Sequence, residues 1–288
     1  MTILGLIFRI LNGLLMIGLP CLAAWLVYRR GQGGFRPIWI GALAFVLSQV
    51  GHIPFNQFLL MPGLRNLGVD LGAQGGSSLV FLALAAGLSA GVFEEVTRYL
   101  VFRFWLKEGD SLLPVKYGVG HGGIEALLAG LLAMFALVQV LVLSGEGALG
   151  ALPEATAELA RSQIAAYWDV PLGMTLLGFW ERVSAMLFHV GASLMVYRSV
   201  REKKPAWFLV ALVGHAAMDA FAVIGVKTID LVLLEGILFV FALLWAAWSW
   251  MVRVRDRDNP REAGPAPLEI RRSDSEATTQ QLEESRYE

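Results

Sequence analysis

A single cysteine, Cys21, in 288 residues excludes an intrachain disulfide framework and any multi-cysteine metal centre. Charge is scarce as well: 16% of residues are charged, against roughly 25% in soluble domains, which removes the soluble class. The formal net charge is −1, so no basic surface for nucleic acid is expected. The short alternating segments of a membrane β-barrel are missing, as is any repeat of fixed period. The His-Glu-x-x-His signature of zinc proteases is absent too. A secretory leader does not fit the start of the chain. Its first residues lack Lys and Arg, the apolar run Ile3–Tyr28 is too long, and Arg29-Arg30 follow it. Pro20 before Cys21 also spoils a lipoprotein cleavage site, so the run reads as a retained first span.

What remains is apolar: 56% of residues are hydrophobic, gathered in runs long enough to cross a bilayer, which takes about 20 residues per helix. The expected fold is an all-α polytopic transmembrane bundle with seven spans, at 3–28, 37–60, 77–104, 119–143, 171–197, 206–226 and 228–252. The acidic, small-residue stretch 144–170 reads as an external amphipathic segment, with an eighth, re-entrant element left open. Residues 1–252 form the bundle, and 253–288 read as a polar, disordered cytoplasmic tail. Basic residues alternate between connections. Arg29, Arg30 and Arg36, then Arg103, Lys107 and Lys116, then Arg198, Arg201, Lys203 and Lys204 mark one side; Arg65, Arg161 and Lys227 stand alone on the other. The positive-inside rule then sets the N-terminus outside and the tail in the cytoplasm of a multi-pass cell-membrane protein.

Ionisable residues inside these runs are the candidate site, because such groups in hydrocarbon cost several kcal/mol unless they face protein or water. They are Glu94, Glu95 and Arg98; His121 and Glu125; His189; and His215 and Asp219. Counted from the basic flanks at about 1.5 Å per residue, all four groups fall roughly 13–20 Å deep. Glu94 with Arg98, His121 with Glu125, and His215 with Asp219 are each four apart and share a helix face. Two adjacent glutamates in low dielectric do not both ionise cheaply, so Arg98 compensates one and the other is free to serve as a base. The structural alternative is a buried ion pair that fixes helix register. Gly118-Val-Gly120-His121-Gly122-Gly123 lacks the preceding strand of a dinucleotide loop and reads as a flexible or close-packed helix entry. Glu181 and Arg182 either serve the site or pair with each other. His52, near Pro54, Asn56 and Gln57, reads as a kink or external-end contact, and Arg9 as snorkelling outward. Trp245, Trp248 and Trp250 read as interfacial anchors, while Glu235 has no reading.

Glu94-Glu95-Val96-Thr97-Arg98-Tyr99, Gly120-His121-Gly122-Gly123-Ile124-Glu125-Ala126, Glu181-Arg182 leading to His189, and His215-Ala216-Ala217-Met218-Asp219 follow one another on separate helices. In these motifs, over about residues 80–225, the chain resembles the membrane-embedded CAAX-protease and bacteriocin-processing superfamily. Within it, the chain is most similar to the YhfC branch of glutamic-type intramembrane proteases. The resemblance implies that Glu94 or Glu95 activates a water with a histidine's help, and that His215 with Asp219 stabilises the oxyanion. The chain departs from the CAAX enzymes in carrying His121-x-x-x-Glu125 where they have an aromatic and a histidine. It also has Asp219 where they have asparagine, and an ionised Asp is a poor oxyanion donor. The expected activity is therefore an intramembrane endopeptidase acting on a membrane protein or lipidated peptide in a cavity open to the cytosol. No cofactor is required by this reading. If zinc takes part, Glu125, His189 and His215 are the expected ligands. The rival readings are a non-catalytic scaffold that binds transmembrane segments and a proton-coupled transporter. No inverted repeat with broken helices supports the transporter.

Overall fold

A computed structural model describes residues 2–30, 34–107, 111–145 and 147–257; residues 258–288, most of the expected tail, lie outside the described residues. The described residues fold into helices alone. These are α1 (Ile3–Tyr28), α2 (Arg36–Phe55), a π-helical turn (Asn56–Leu60), α3 (Met61–Asn66), α4 (Gly76–Phe104), α5 (Leu113–Leu143), α6 (Glu154–Asp169), α7 (Leu177–Glu202), α8 (Pro205–Thr228) and α9 (Leu231–Arg257). Seven spans are long and apolar enough to cross a membrane, with α2, the π turn and α3 forming one of them, Arg36–Asn66. The chemistry of lipid explains the helical rule: a helix satisfies its own backbone N–H and C=O groups where no water can.

Local signals set the helix starts. The Thr2 hydroxyl accepts the Gly5 N–H at 3.1 Å and caps α1. Pro37, Pro114 and Pro205 occupy the first turns of α2, α5 and α8, where a missing N–H costs nothing. Pro114 starts α5 six residues before the expected span, so Lys116 lies within the helix and is fully buried rather than marking a cytoplasmic flank. The segment 144–170 contains α6, whose Ala157 and Ala160 are buried among otherwise exposed or half-buried positions, and no eighth span forms there among the described residues.

Between helices in lipid the drive is close packing rather than water exclusion. Here α5 is flanked by α1, α2 and α7, α4 lies along α8, and α4 also meets α2 and α7. Glycine permits these approaches. A Cβ on Gly120 would sit 1.9 Å from the Ile38 carbonyl oxygen, one on Gly41 2.2 Å from that of Tyr117, and one on Gly87 2.4 Å from that of Ala216. Gly118 likewise faces Val190 of α7. The glycine-rich run is therefore a packing seam near the start of α5, the close-packed one of the two expected alternatives. Trp245 is also not an interfacial anchor. It is buried, stacks on Phe188 at 5.5 Å between ring centroids, and fills the space beside Gly191 and Gly214. Arg9 does not snorkel. It is buried, donates to the Tyr167 carbonyl at 2.6 Å and lies over the Tyr167 and Trp168 rings, tying the end of α6 to α1.

Candidate active site

The residues singled out on α4, α5, α7 and α8 meet in one buried cluster. On α4, Glu95 and Arg98 are fully buried and form an ion pair one turn apart. The same Glu95 Oε1 accepts from His215 Nδ1 of α8 at 2.8 Å. Glu95 is thus held by two donors, one cationic. Glu94 points to a different set of groups. Its Oε2 accepts from His121 Nε2 of α5 at 3.0 Å and lies 3.8 Å from His215 Nε2, while its Oε1 accepts from Gln49 Nε2 of α2 at 3.0 Å. The α-helical period produces this split, because adjacent residues on one helix project about 100° apart.

His189 of α7 bridges the two halves. Arg98 only donates, so its NH2 contact at 3.1 Å makes His189 Nδ1 the acceptor. The proton then lies on Nε2, which donates to Glu125 Oε2 at 2.9 Å. Glu125 is fixed in turn by Arg182 NH1 at 2.7 Å, and Arg182 also pairs with Glu181. Arg182 therefore belongs to the cluster through Glu125, while Glu181 lies half-exposed at its edge. Asp219 Oδ2 stands 3.5 Å from His215 Nε2, with 39% of its side chain exposed. Apolar rings form the walls: Phe45 meets His121 edge-on, and Phe188 does the same to both His189 and His215.

The three imidazoles are close, with ring centroids 4.8 Å apart for His121 and His189 and 5.5 Å apart for His189 and His215. Donor atoms of Glu94, His121 and His189 lie within 4.8 Å of one another. One carboxylate and two imidazoles match the donor set of catalytic zinc sites that leave a fourth position open. The contact of His189 with Glu125 matches the outer carboxylate that orients a ligating histidine. In addition, His121 Nδ1 is buried with no hydrogen-bond partner, a bare lone pair that is costly unless used. The donor types fit a divalent ion, and His189 would take part by exchanging its Arg98 contact for the metal. Of the expected ligands Glu125, His189 and His215, this group contains His189, while Glu125 lies behind it as that ring's carboxylate partner and His215 is tied to Glu95 through Nδ1.

Gln49 was not legible as a site residue, and His52, near Asn56, reads from sequence as a kink or external-end contact. The missed signal is a polar stripe at i, i+3 and i+7 on an otherwise apolar helix, which sets Gln49, His52 and Asn56 on one face.

A seven-span helical protein with buried glutamates and histidines gathered at one point belongs to the class of multi-pass membrane proteins with an intramembrane polar site. The chain belongs to the family described as YhfC intramembrane metalloprotease, whose model matches residues 15–238. That membership places it among membrane proteases. It is 26% identical over 227 residues to the uncharacterized membrane protein YhfC of Bacillus subtilis (strain 168), covering 76% of this chain and 84% of the relative. No solved structure matches the chain.

Proposed function

We propose that the protein is an intramembrane endopeptidase that cleaves a membrane protein or lipidated peptide, with Glu94 as the base that activates water. The observation carrying this reading is the unequal treatment of neighbouring glutamates. Glu95 is paired with Arg98, whereas Glu94 faces His121, His215 and Gln49 and has no ion pair with Arg98. In this reading Glu94 takes a proton from water drawn into the cluster. The His215 ring, when doubly protonated, offers Nε2–H to the developing oxyanion. Asp219 orients that ring, and Glu125 with Arg182 fixes His189. The wider kinship to CAAX proteases, the substrate class and the orientation with the N-terminus outside belong to this proposal.

A second reading rests on the convergence of Glu94, His121 and His189. These side chains would hold a zinc ion, which when bound makes water more acidic and polarises the scissile carbonyl. Glu125 keeps its task of orienting His189 in both readings.

The test is cleavage of a library of transmembrane peptides by purified protein in lipid. Glu94→Gln is expected to lower kcat by about 10²-fold or more, the scale of losing a general base. Wild-type cleavage by this variant sinks Glu94 as the working carboxylate, and absence of cleavage by the wild type sinks the proteolytic reading. Metal content per chain, together with activity after chelation, separates the two mechanisms. Full activity in chelator with no bound metal favours Glu94 as base, whereas stoichiometric zinc lost in Glu94→Gln, His121→Ala and His189→Ala favours the ligand role.

A further inference from the structure

Beyond the histidine cluster, a line of polar side chains runs along α2 to Glu94. Ser89 Oγ lies 2.7 Å from Asn56 Oδ1, Asn56 Nδ2 2.8 Å from His52 Nε2, His52 Nδ1 3.3 Å from Gln49 Oε1, and Gln49 Nε2 3.0 Å from Glu94 Oε1. We propose that these four residues form a one-way hydrogen-bond chain that positions Glu94, with His52 and Gln49 as its positioning residues. The inference rests on Glu94 being the working carboxylate, whether as base or as ligand.

Chemistry fixes the direction of the chain from its Glu94 end. A carboxylate accepts only, so Gln49 must present its NH2 to Glu94. Its carbonyl oxygen then faces His52 Nδ1, which must carry the ring proton. The bare Nε2 accepts from the Asn56 NH2, and the Asn56 oxygen accepts from the Ser89 hydroxyl. Run the other way, the chain would set two acceptor oxygens against each other at the Gln49–Glu94 contact. Ser48 supplies an independent check. Its hydroxyl is spent on the Phe45 carbonyl at 2.7 Å, so its oxygen is an acceptor for the second Gln49 N–H at 3.4 Å. The flip of Gln49 is thus set twice, once by Glu94 and once by Ser48.

The backbone supports the alignment. Pro54 removes one N–H from α2, and the π-helical turn begins at Asn56, the residue that receives the Ser89 hydroxyl. His52 also lies against the Phe93 ring, one residue before Glu94 on α4, with centroids 5.4 Å apart. With Oε1 of Glu94 fixed by Gln49, its Oε2 is left facing His121 and His215. This gives a purpose to polar groups that would otherwise weaken a lipid-spanning helix.

Nitrogen-15 spectra of full-length protein in lipid, with labelled histidine, test the chain. The His52 signal is assigned as the one lost in His52→Ala. The expected result is a single neutral tautomer with the proton on Nδ1, and release into a mixture of both tautomers in Gln49→Leu. A wild-type ring carrying its proton on Nε2, or already mixed, overturns the proposal. On a transmembrane peptide that the wild type cleaves, Gln49→Leu and His52→Ala are each expected to lower kcat about 10-fold, the scale of losing a supporting contact, with KM within about two-fold. The double variant is expected to fall no further than the weaker single one, because both changes break one chain. Additive losses, or losses confined to KM, overturn the proposal. Absence of any cleavage by the wild type would remove the proteolytic reading alone, since the tautomer of His52 is read without any turnover.

Discussion

Glu94 and Glu95 are adjacent in sequence and opposite in task, which makes substitutions at the two positions separable. Glu95→Gln keeps an acceptor for His215 but deprives buried Arg98 of its counter-ion. Arg98→Ala leaves Glu95 buried with His215 as its remaining hydrogen-bond partner. Breaking one side of a buried pair costs about 3–5 kcal/mol, so Arg98→Ala is expected to unfold well below the wild type in a thermal melt in detergent. The double change Glu95→Gln with Arg98→Met removes both charges and is expected to recover much of that loss. Most of this cluster was legible in the sequence, because an acid or imidazole stands out in an apolar run and four-residue spacing puts pairs on one face. Partner choice was not legible. Spacing gives depth and direction along each helix, yet rotation about the helix axis decides that His121 meets Glu94 while Glu125 meets Arg182. Arg9 escaped for a similar reason: its carbonyl partner at Tyr167 lies in a segment 158 residues away.

Among elements, the α2–α5 seam is the sharpest case of sequence setting geometry. Gly120 and Gly41 bring two backbones together, so Gly120→Ala must push α2 away from His121. Overpacking typically costs about 1–3 kcal/mol, and a contact of 1.9 Å against backbone belongs at or beyond the upper end. Gly63→Ala in α3 meets open space and is expected to be neutral in the same melt. The helices themselves could be read from apolar length and proline starts. The true start of α5 could not, since the apolar run stops at Lys116 whereas the helix passes through it. Arg9→Ala is expected to loosen α6, and limited proteolysis should then cut near residues 154–170 faster than in the wild type.

For the bundle as a whole, apolar side chains cover the exterior and the polar cluster is kept inside among buried apolar residues. Trp39, Val50, Leu132 and Leu244 are exposed while Glu95, Arg98 and His121 are fully buried. The proposed orientation makes opposite demands on two loops. A cysteine probe at Asp70→Cys is expected to react with an impermeant thiol reagent from outside intact cells, and one at Lys203→Cys only after the membrane is opened. The reverse pattern would overturn the orientation and with it a site reached from the cytosol. The span count followed from composition, because missing one span would spoil the alternation of basic residues.

The pairing of Glu95 with Arg98 inside one turn of α4 also bears on how the chain is made. During synthesis α4 reaches the translocon before α7 and α8 have emerged from the ribosome, so His189 and His215 are not yet there to receive it. Because opposite charges travel on the same turn, the helix can partition into lipid with Glu94 as its one uncompensated acid in that turn. The very next segment to emerge delivers His121 to meet it.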